Sequence, residues 1–93
     1  MRRELIRSTA FVRAMRRLLK KRRNLTADLR NTLERLEADA FDPHLKTHKL
    51  TGDLDEVWAS SAGFDLRILF EFVEHEGSEA ILLMTIGTHD EVY

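Results

Sequence analysis

The apolar residues of this chain change their spacing once, across the stretch that opens at Phe41-Asp42-Pro43 and runs to about Glu56, and that switch constrains the fold more than any other feature. Before it they recur every three or four residues, the period of a helix with one buried face. After it they alternate, the period of a strand. Proline disfavours helix in the residue before it and brings no N–H to a hydrogen-bond ladder, so the boundary has a chemical cause. Phe11, Met15, Leu18 and Leu19 fall on one helical stripe and Leu25, Leu29, Leu33 and Leu36 on a second, with Asn24 and Thr26 offering a stop and a new cap between them. So short a connection predicts an antiparallel helical hairpin. Leu5-Ile6-Arg7-Ser8 reads as an opening strand, with Ser8 or Thr9 as cap of the first helix. Beyond the proline a polar linker runs to about Glu56 and carries the turn signal Thr51-Gly52-Asp53. Three strands then follow, at 57–61, 66–73 and 80–86. A bend at Ala62-Gly63-Phe64 and a hairpin connection from Glu74 to Ser78 join them.

The predicted order is β-α-α-β-β-β, an α+β layout in which a helical hairpin covers one face of a curved, mainly antiparallel sheet and leaves the other face open. Leu66, Ile68, Phe70 and Phe72 share one side of the middle strand, and Leu69 and Val73 partly fill the other, which predicts a central strand under the helices. A length of 93 residues suits one domain over residues 1–93. Hydrophobic residues make up 43% and charged residues 33%, too much apolar content for a disordered chain. No window approaches the roughly 18 apolar residues of a membrane span. Met1-Arg2-Arg3-Glu4 leads into no apolar signal core, and the absence of cysteine removes disulfides and thiolate metal sites. A cytoplasmic protein without a membrane partner is the expectation.

The formal net charge of −1 conceals a strong asymmetry. Residues 1–30 carry Arg2, Arg3, Arg7, Arg13, Arg16, Arg17, Lys20, Lys21, Arg22, Arg23 and Arg30 against only Glu4 and Asp28. Most of these cations lie on the first predicted helix, opposite its apolar stripe. A charge run of this kind is commonly a solvated face. Arg13, Arg16, Arg17, Lys20, Lys21 and Arg23 also suit RNA phosphates or an acidic protein segment that folds as it binds.

Among the histidines, His44 and His75 sit in predicted turns, while His48 precedes the sheet and His89 follows its last strand. Taken singly, His48 and His89 read as surface or capping residues. Asp65 and Arg67, two apart at the start of the central strand, are predicted to share a face. They read either as an edge ion pair or as functional groups.

Three segments together, His48-Lys49-Leu50-Thr51-Gly52, Asp65-Leu66-Arg67-Ile68-Leu69-Phe70 and Gly87-Thr88-His89-Asp90-Glu91-Val92-Tyr93, resemble the RelE superfamily of type II toxin–antitoxin toxins, its YafQ branch in particular. The likeness spans nearly the whole chain. Its most specific element is Gly-Thr-His followed four residues later by an aromatic. The resemblance implies an endoribonuclease that cuts mRNA, usually in the ribosomal A site, and is held in a hetero-oligomeric complex by a cognate antitoxin. It assigns His48, Asp65, His89 and Tyr93 to the branch's functional positions. Arg67 stands where RelE has an arginine on the substrate phosphate. Where the branch has a further histidine, this chain has Ser61.

Attack of a ribose 2′-OH on the adjacent phosphate needs a base, a cation for the phosphorane and an acid for the leaving 5′-oxygen, and these side chains provide all three without a metal or cofactor. On this scheme His89 is the acid, Asp65 or His48 the base and Arg67 the phosphorane ligand. Tyr93 supplies a stacking surface, and Lys46, Lys49 and Ser61 complete the substrate contacts. Three other readings compete: zinc held by His48, Asp65 and His89, a gyrase-directed relative of the ParE type, and a catalytically degenerate binding protein.

Overall fold

The structure, a computed structural model, describes residues 1–52, 56–63 and 65–93. Strand β1 (Leu5–Arg7) leads into helix α1 (Thr9–Lys21), and α2 (Thr26–Ala38) follows a 3-10 turn at Arg23–Leu25. A second 3-10 turn at Pro43–Leu45 precedes β2 (His48–Lys49), β3 (Trp58–Ser61), β4 (Leu66–His75), β5 (Ser78–Thr88) and a one-turn helix α3 (His89–Val92). The five strands form one sheet in the order β1-β5-β4-β3-β2. β1 runs parallel to β5 and every other pair is antiparallel. The α+β layout, with β4 central, agrees with the sequence-based expectation.

Two elements go beyond that expectation. β2 lies in the stretch expected to be linker, because its two residues carry no alternation to detect and form a strand only through pairing with Trp58 and Ala59. α3 is too short to show a helical period. Thr26 is also not a cap: it is the first residue of α2, and its hydroxyl donates to the Arg23 carbonyl at 2.9 Å. α1 ends at Lys21, before Asn24, with the Arg22 N–H donating to the Leu18 carbonyl. His75 is the last residue of β4, paired with Ser78, and does not lie in the turn itself. Asp53 of the expected turn and Phe64 of the expected bend lie outside the described residues.

Ser8 ties helix to sheet. Its Oγ accepts from the Phe11 N–H at 3.0 Å and donates to the Met84 carbonyl at 3.2 Å. A cap of this kind contributes about 1 kcal/mol. Between helices and sheet lies the main core, in which Phe11, Leu36, Ile68, Phe70, Ile81 and Leu83 are fully buried. Truncating either phenylalanine to alanine costs about 3–5 kcal/mol. The β4–β5 turn places Glu76 at φ 51° and Gly77 at φ 82°, the two left-handed positions of a type I′ hairpin. Among the described residues no helix is long and apolar enough to cross a membrane.

The face away from the helices is less open than expected. Val57, Ala59 and Leu69 form a small second cluster there, joined by Leu50, Met84 and Val92. A β-bulge produces part of it. Phe70 pairs with Leu83 but Leu69 pairs with Thr85, so Met84 is the extra residue on β5. Bulges bend a strand locally, and this one lies between the core half of β5 and the end that leads into α3.

Candidate active site

The strand register determines which side chains share the second face. Ser61 of β3 lies opposite Arg67 of β4, and Arg67 opposite Gly87 of β5. One row further along, His48 of β2 faces Ala59, Ala59 faces Leu69, and Leu69 faces Thr85. Cross-strand partners project to the same side. Since Ala59 and Leu69 belong to the second cluster, His48, Ser61 and Arg67 open on that face. Two strand spacings, about 10 Å, separate β2 from β4.

α3 adds the remaining groups. A Cβ built on Gly87 would stand 3.1 Å from Val92 Cγ1 and 3.2 Å from Glu91 Cβ, so the missing side chain is what lets α3 fold back over the Arg67 row. Thr88 and Glu91 close its first turn reciprocally: the Thr88 N–H donates to Glu91 Oε1 at 2.8 Å, and the Glu91 N–H to Thr88 Oγ1 at 3.3 Å. The His89 N–H donates to the Asp65 carbonyl at 3.2 Å, fastening the helix to the approach to β4. His89 and Tyr93, four residues apart, fall on one helical face, and their rings meet edge to face with centroids 4.5 Å apart. Burial raises the Tyr93 phenol above its ordinary pKa, and the nearby Arg67 cation opposes that shift. His89 and Tyr93 are therefore neighbours, and the Arg67 cation acts on the Tyr93 phenol.

His48 Nδ1 lies 3.0 Å from the Lys46 carbonyl. A carbonyl only accepts, so this nitrogen carries the proton, and in the neutral ring Nε2 keeps its lone pair. Behind it, the Thr47 and Ser60 hydroxyls are 2.8 Å apart, and Thr47 Oγ1 also donates to the Ala40 carbonyl at 2.5 Å. Ser60 is fully buried, so this pair pins the segment carrying His48 to β3.

Not every candidate joins the cluster. Asp65 is exposed and sits one residue before β4, where its carbonyl is engaged by α3. It makes no ion pair with Arg67, whose guanidinium donates instead to the Leu66 carbonyl at 2.9 Å. Lys49 is registered against Trp58 and so belongs to the helix-covered side. Lys46 is exposed, in a left-handed conformation at the end of its 3-10 turn. His44 is held in its own turn by Asp42, whose carboxyl that contact lowers in pKa. Among the described residues no three His, Asp or Glu side chains gather as a metal site, so the zinc arrangement is not formed.

The cations of α1 are solvent-exposed, and among the described residues none pairs with a carboxylate. Arg17, Lys21 and Arg22 line one wall of a cleft of about 650 Å³; Thr85–Thr88, Glu91 and Val92 line the other. Arg13, Arg16, Lys20 and Arg23 lie outside it. Sequence reasoning missed Gly87 and Glu91 as determinants of the site. Thr88-His89-Asp90-Glu91 has the spacing of a capping box and was the available signal.

A helix pair on one face of a five-stranded sheet is a fold this chain shares with solved toxin structures. YafQ from E. coli strain BL21(DE3) superposes with a TM-score of 0.78 at 15% identity, over 98% of each chain. YafQ in the E. coli DinJ-YafQ toxin-antitoxin complex gives 0.76 at 16% identity, over 100% of this chain and 99% of that one. A YoeB/ParE toxin from Agrobacterium tumefaciens gives 0.75 at 10%, over 92% and 98%. At such identities the likeness defines the fold. The sequence matches no family profile and no curated protein.

Proposed function

We propose that this chain is the toxin of a toxin–antitoxin pair and an endoribonuclease that cleaves mRNA on the ribosome without a metal or cofactor. The observation that carries the reading is the shared face: His48, Ser61 and Arg67 open on the side of the sheet over which α3 brings His89 and Tyr93. In the proposed reaction His48 Nε2 takes the 2′-OH proton, and the alkoxide attacks the adjacent phosphorus. Arg67 stabilises the phosphorane with its remaining N–H donors, and His89 protonates the departing 5′-oxygen. The products are a 2′,3′-cyclic phosphate and a 5′-hydroxyl. Tyr93 offers its ring to a base and Ser61 a hydroxyl to a phosphate oxygen. The Nδ1–H contact with the Lys46 carbonyl favours His48 over Asp65 as base, since it leaves the acceptor nitrogen free. The exposed cations of α1, unpaired among the described residues, suit ribosomal RNA, an acidic antitoxin segment, or both in alternation.

Induced expression tests the class. The expected result is growth arrest with cleaved mRNA, relieved by co-expressing the small open reading frame beside the gene. Arrest with intact mRNA and gyrase-dependent DNA damage would overturn the nuclease reading in favour of a ParE-like one.

A further inference from the structure

α3 is a four-residue helix, far below the length at which a helix holds itself in water. It nonetheless carries two of the groups proposed above to meet the substrate, so something else must fix it. Three contacts do so: Val92 seated on the second cluster, the His89 N–H on the Asp65 carbonyl, and the reciprocal pair between Thr88 and Glu91. Only the last involves a charged side chain. Glu91 projects from the opposite side of α3 to His89 and Tyr93, because two residues along a helix turn the direction by about 200°. It lines the cleft opposite Arg17 and Lys21 and, among the described residues, is the sole carboxylate of that lining. Hydrogen bonds from Thr88 lower its carboxyl pKa, with smaller contributions from Lys21 and Arg17.

We propose that Glu91 is a positioning residue: its hydrogen bond to the Thr88 N–H fixes the turn that presents His89 and Tyr93 to the second face of the sheet. Its importance for catalysis rests on the nuclease reading; its effect on ring geometry does not. Glu91 makes its hydrogen bonds to Thr88 and stands over Gly87, where the backbone leaves no slack for α3 to settle deeper. Releasing the cap lets the helix fray from its first turn, and His89, at the first helical position, is the first residue to lose its orientation.

The test uses the full chain as wild type, Glu91→Ala and Glu91→Gln. Glutamine keeps an acceptor oxygen for the Thr88 N–H and gives up only the charge. The readout is the His89 ring C–H resonances in proton NMR, identified by their loss in His89→Asn. Tyr93→Leu defines where they fall without the neighbouring ring. Trp58, packed against the main core, reports by fluorescence that the fold is kept. In the wild type these resonances are expected to be displaced from the Tyr93→Leu position. Glu91→Ala should move them back to it, and Glu91→Gln should leave them displaced. Single-turnover RNA cleavage should follow, falling roughly ten- to hundred-fold in Glu91→Ala and recovering in Glu91→Gln, with the RNA concentration for half-saturation little changed. A Glu91→Ala protein with wild-type His89 resonances overturns the proposal, as does a Glu91→Gln protein that matches Glu91→Ala. If the wild type itself cleaves no RNA, the nuclease reading fails and the ring resonances alone decide the role of Glu91.

Discussion

Arg67 and Tyr93, brought together from β4 and from the end of α3, act on each other through charge: burial raises the phenol, and the guanidinium holds part of that rise back. Tyr93 is the only tyrosine, so its ionisation can be followed directly by ultraviolet absorbance. The phenol should titrate above the ordinary value of 10.0, and Arg67→Gln should move it higher still, because removing a cation disfavours the phenolate. The sign has a stability consequence. A folded pKa above the unfolded one means the native state holds its proton more tightly, so this contribution is present below about pH 10 and is lost as pH rises through the folded value. An Arg67→Gln titration at or below the wild-type value would separate the two residues.

Gly87 should be unusually sensitive for a residue that does no chemistry. An added methyl group meets Val92 and Glu91 at 3.1–3.3 Å, and the element that must give is the single turn of α3, not the core. Gly87→Ala is therefore expected to cost no more than about 1 kcal/mol of stability by thermal unfolding. Cleavage should fall by roughly tenfold or more. Equal losses in both, or neither, would argue against α3 packing on Gly87.

The buried hydroxyl pair should matter for β2. Ser60→Ala leaves Thr47 only the Ala40 carbonyl and is expected to destabilise the fold by about 1 kcal/mol in chemical unfolding. Its larger effect should fall on kcat, through looser placement of His48.

The two helices, the central strand and its two-sidedness were legible because each covers enough residues to show a period. Phe11 to Leu19 and Leu66 to Phe72 each repeat their pattern several times. β2 and α3 were not, since neither His48-Lys49 nor His89–Val92 is long enough to repeat anything. β2 exists through its pairing with β3, which no local signal contains. For α3 the local signal left unread was the spacing of Thr88 and Glu91, which is that of a cap and whose box closes in the structure. The site residues themselves were named by resemblance. What the sequence could not supply is their register: Ser61 and Arg67 are cross-strand partners, whereas Lys49, beside His48 in sequence, belongs to the other side of the sheet.

The cleft between α1 and β5 predicts a salt dependence. Replacing Arg17, Lys21 and Arg22 together by glutamine should reduce the slope of log affinity for single-stranded RNA against log salt by about two, at roughly 0.7 for each phosphate left without its cation. The same change at Arg2 and Arg35, which already pair with Glu37 and Asp42, should alter it far less.

In the proposed reaction one face of the sheet cleaves RNA, with His89 transferring a proton in the transition state. Single-turnover cleavage of ribosome-bound mRNA by wild type and His89→Ala tests it most directly. The predicted result is a loss of roughly two to four decades in rate with binding retained; cleavage by His89→Ala at the wild-type rate would contradict it.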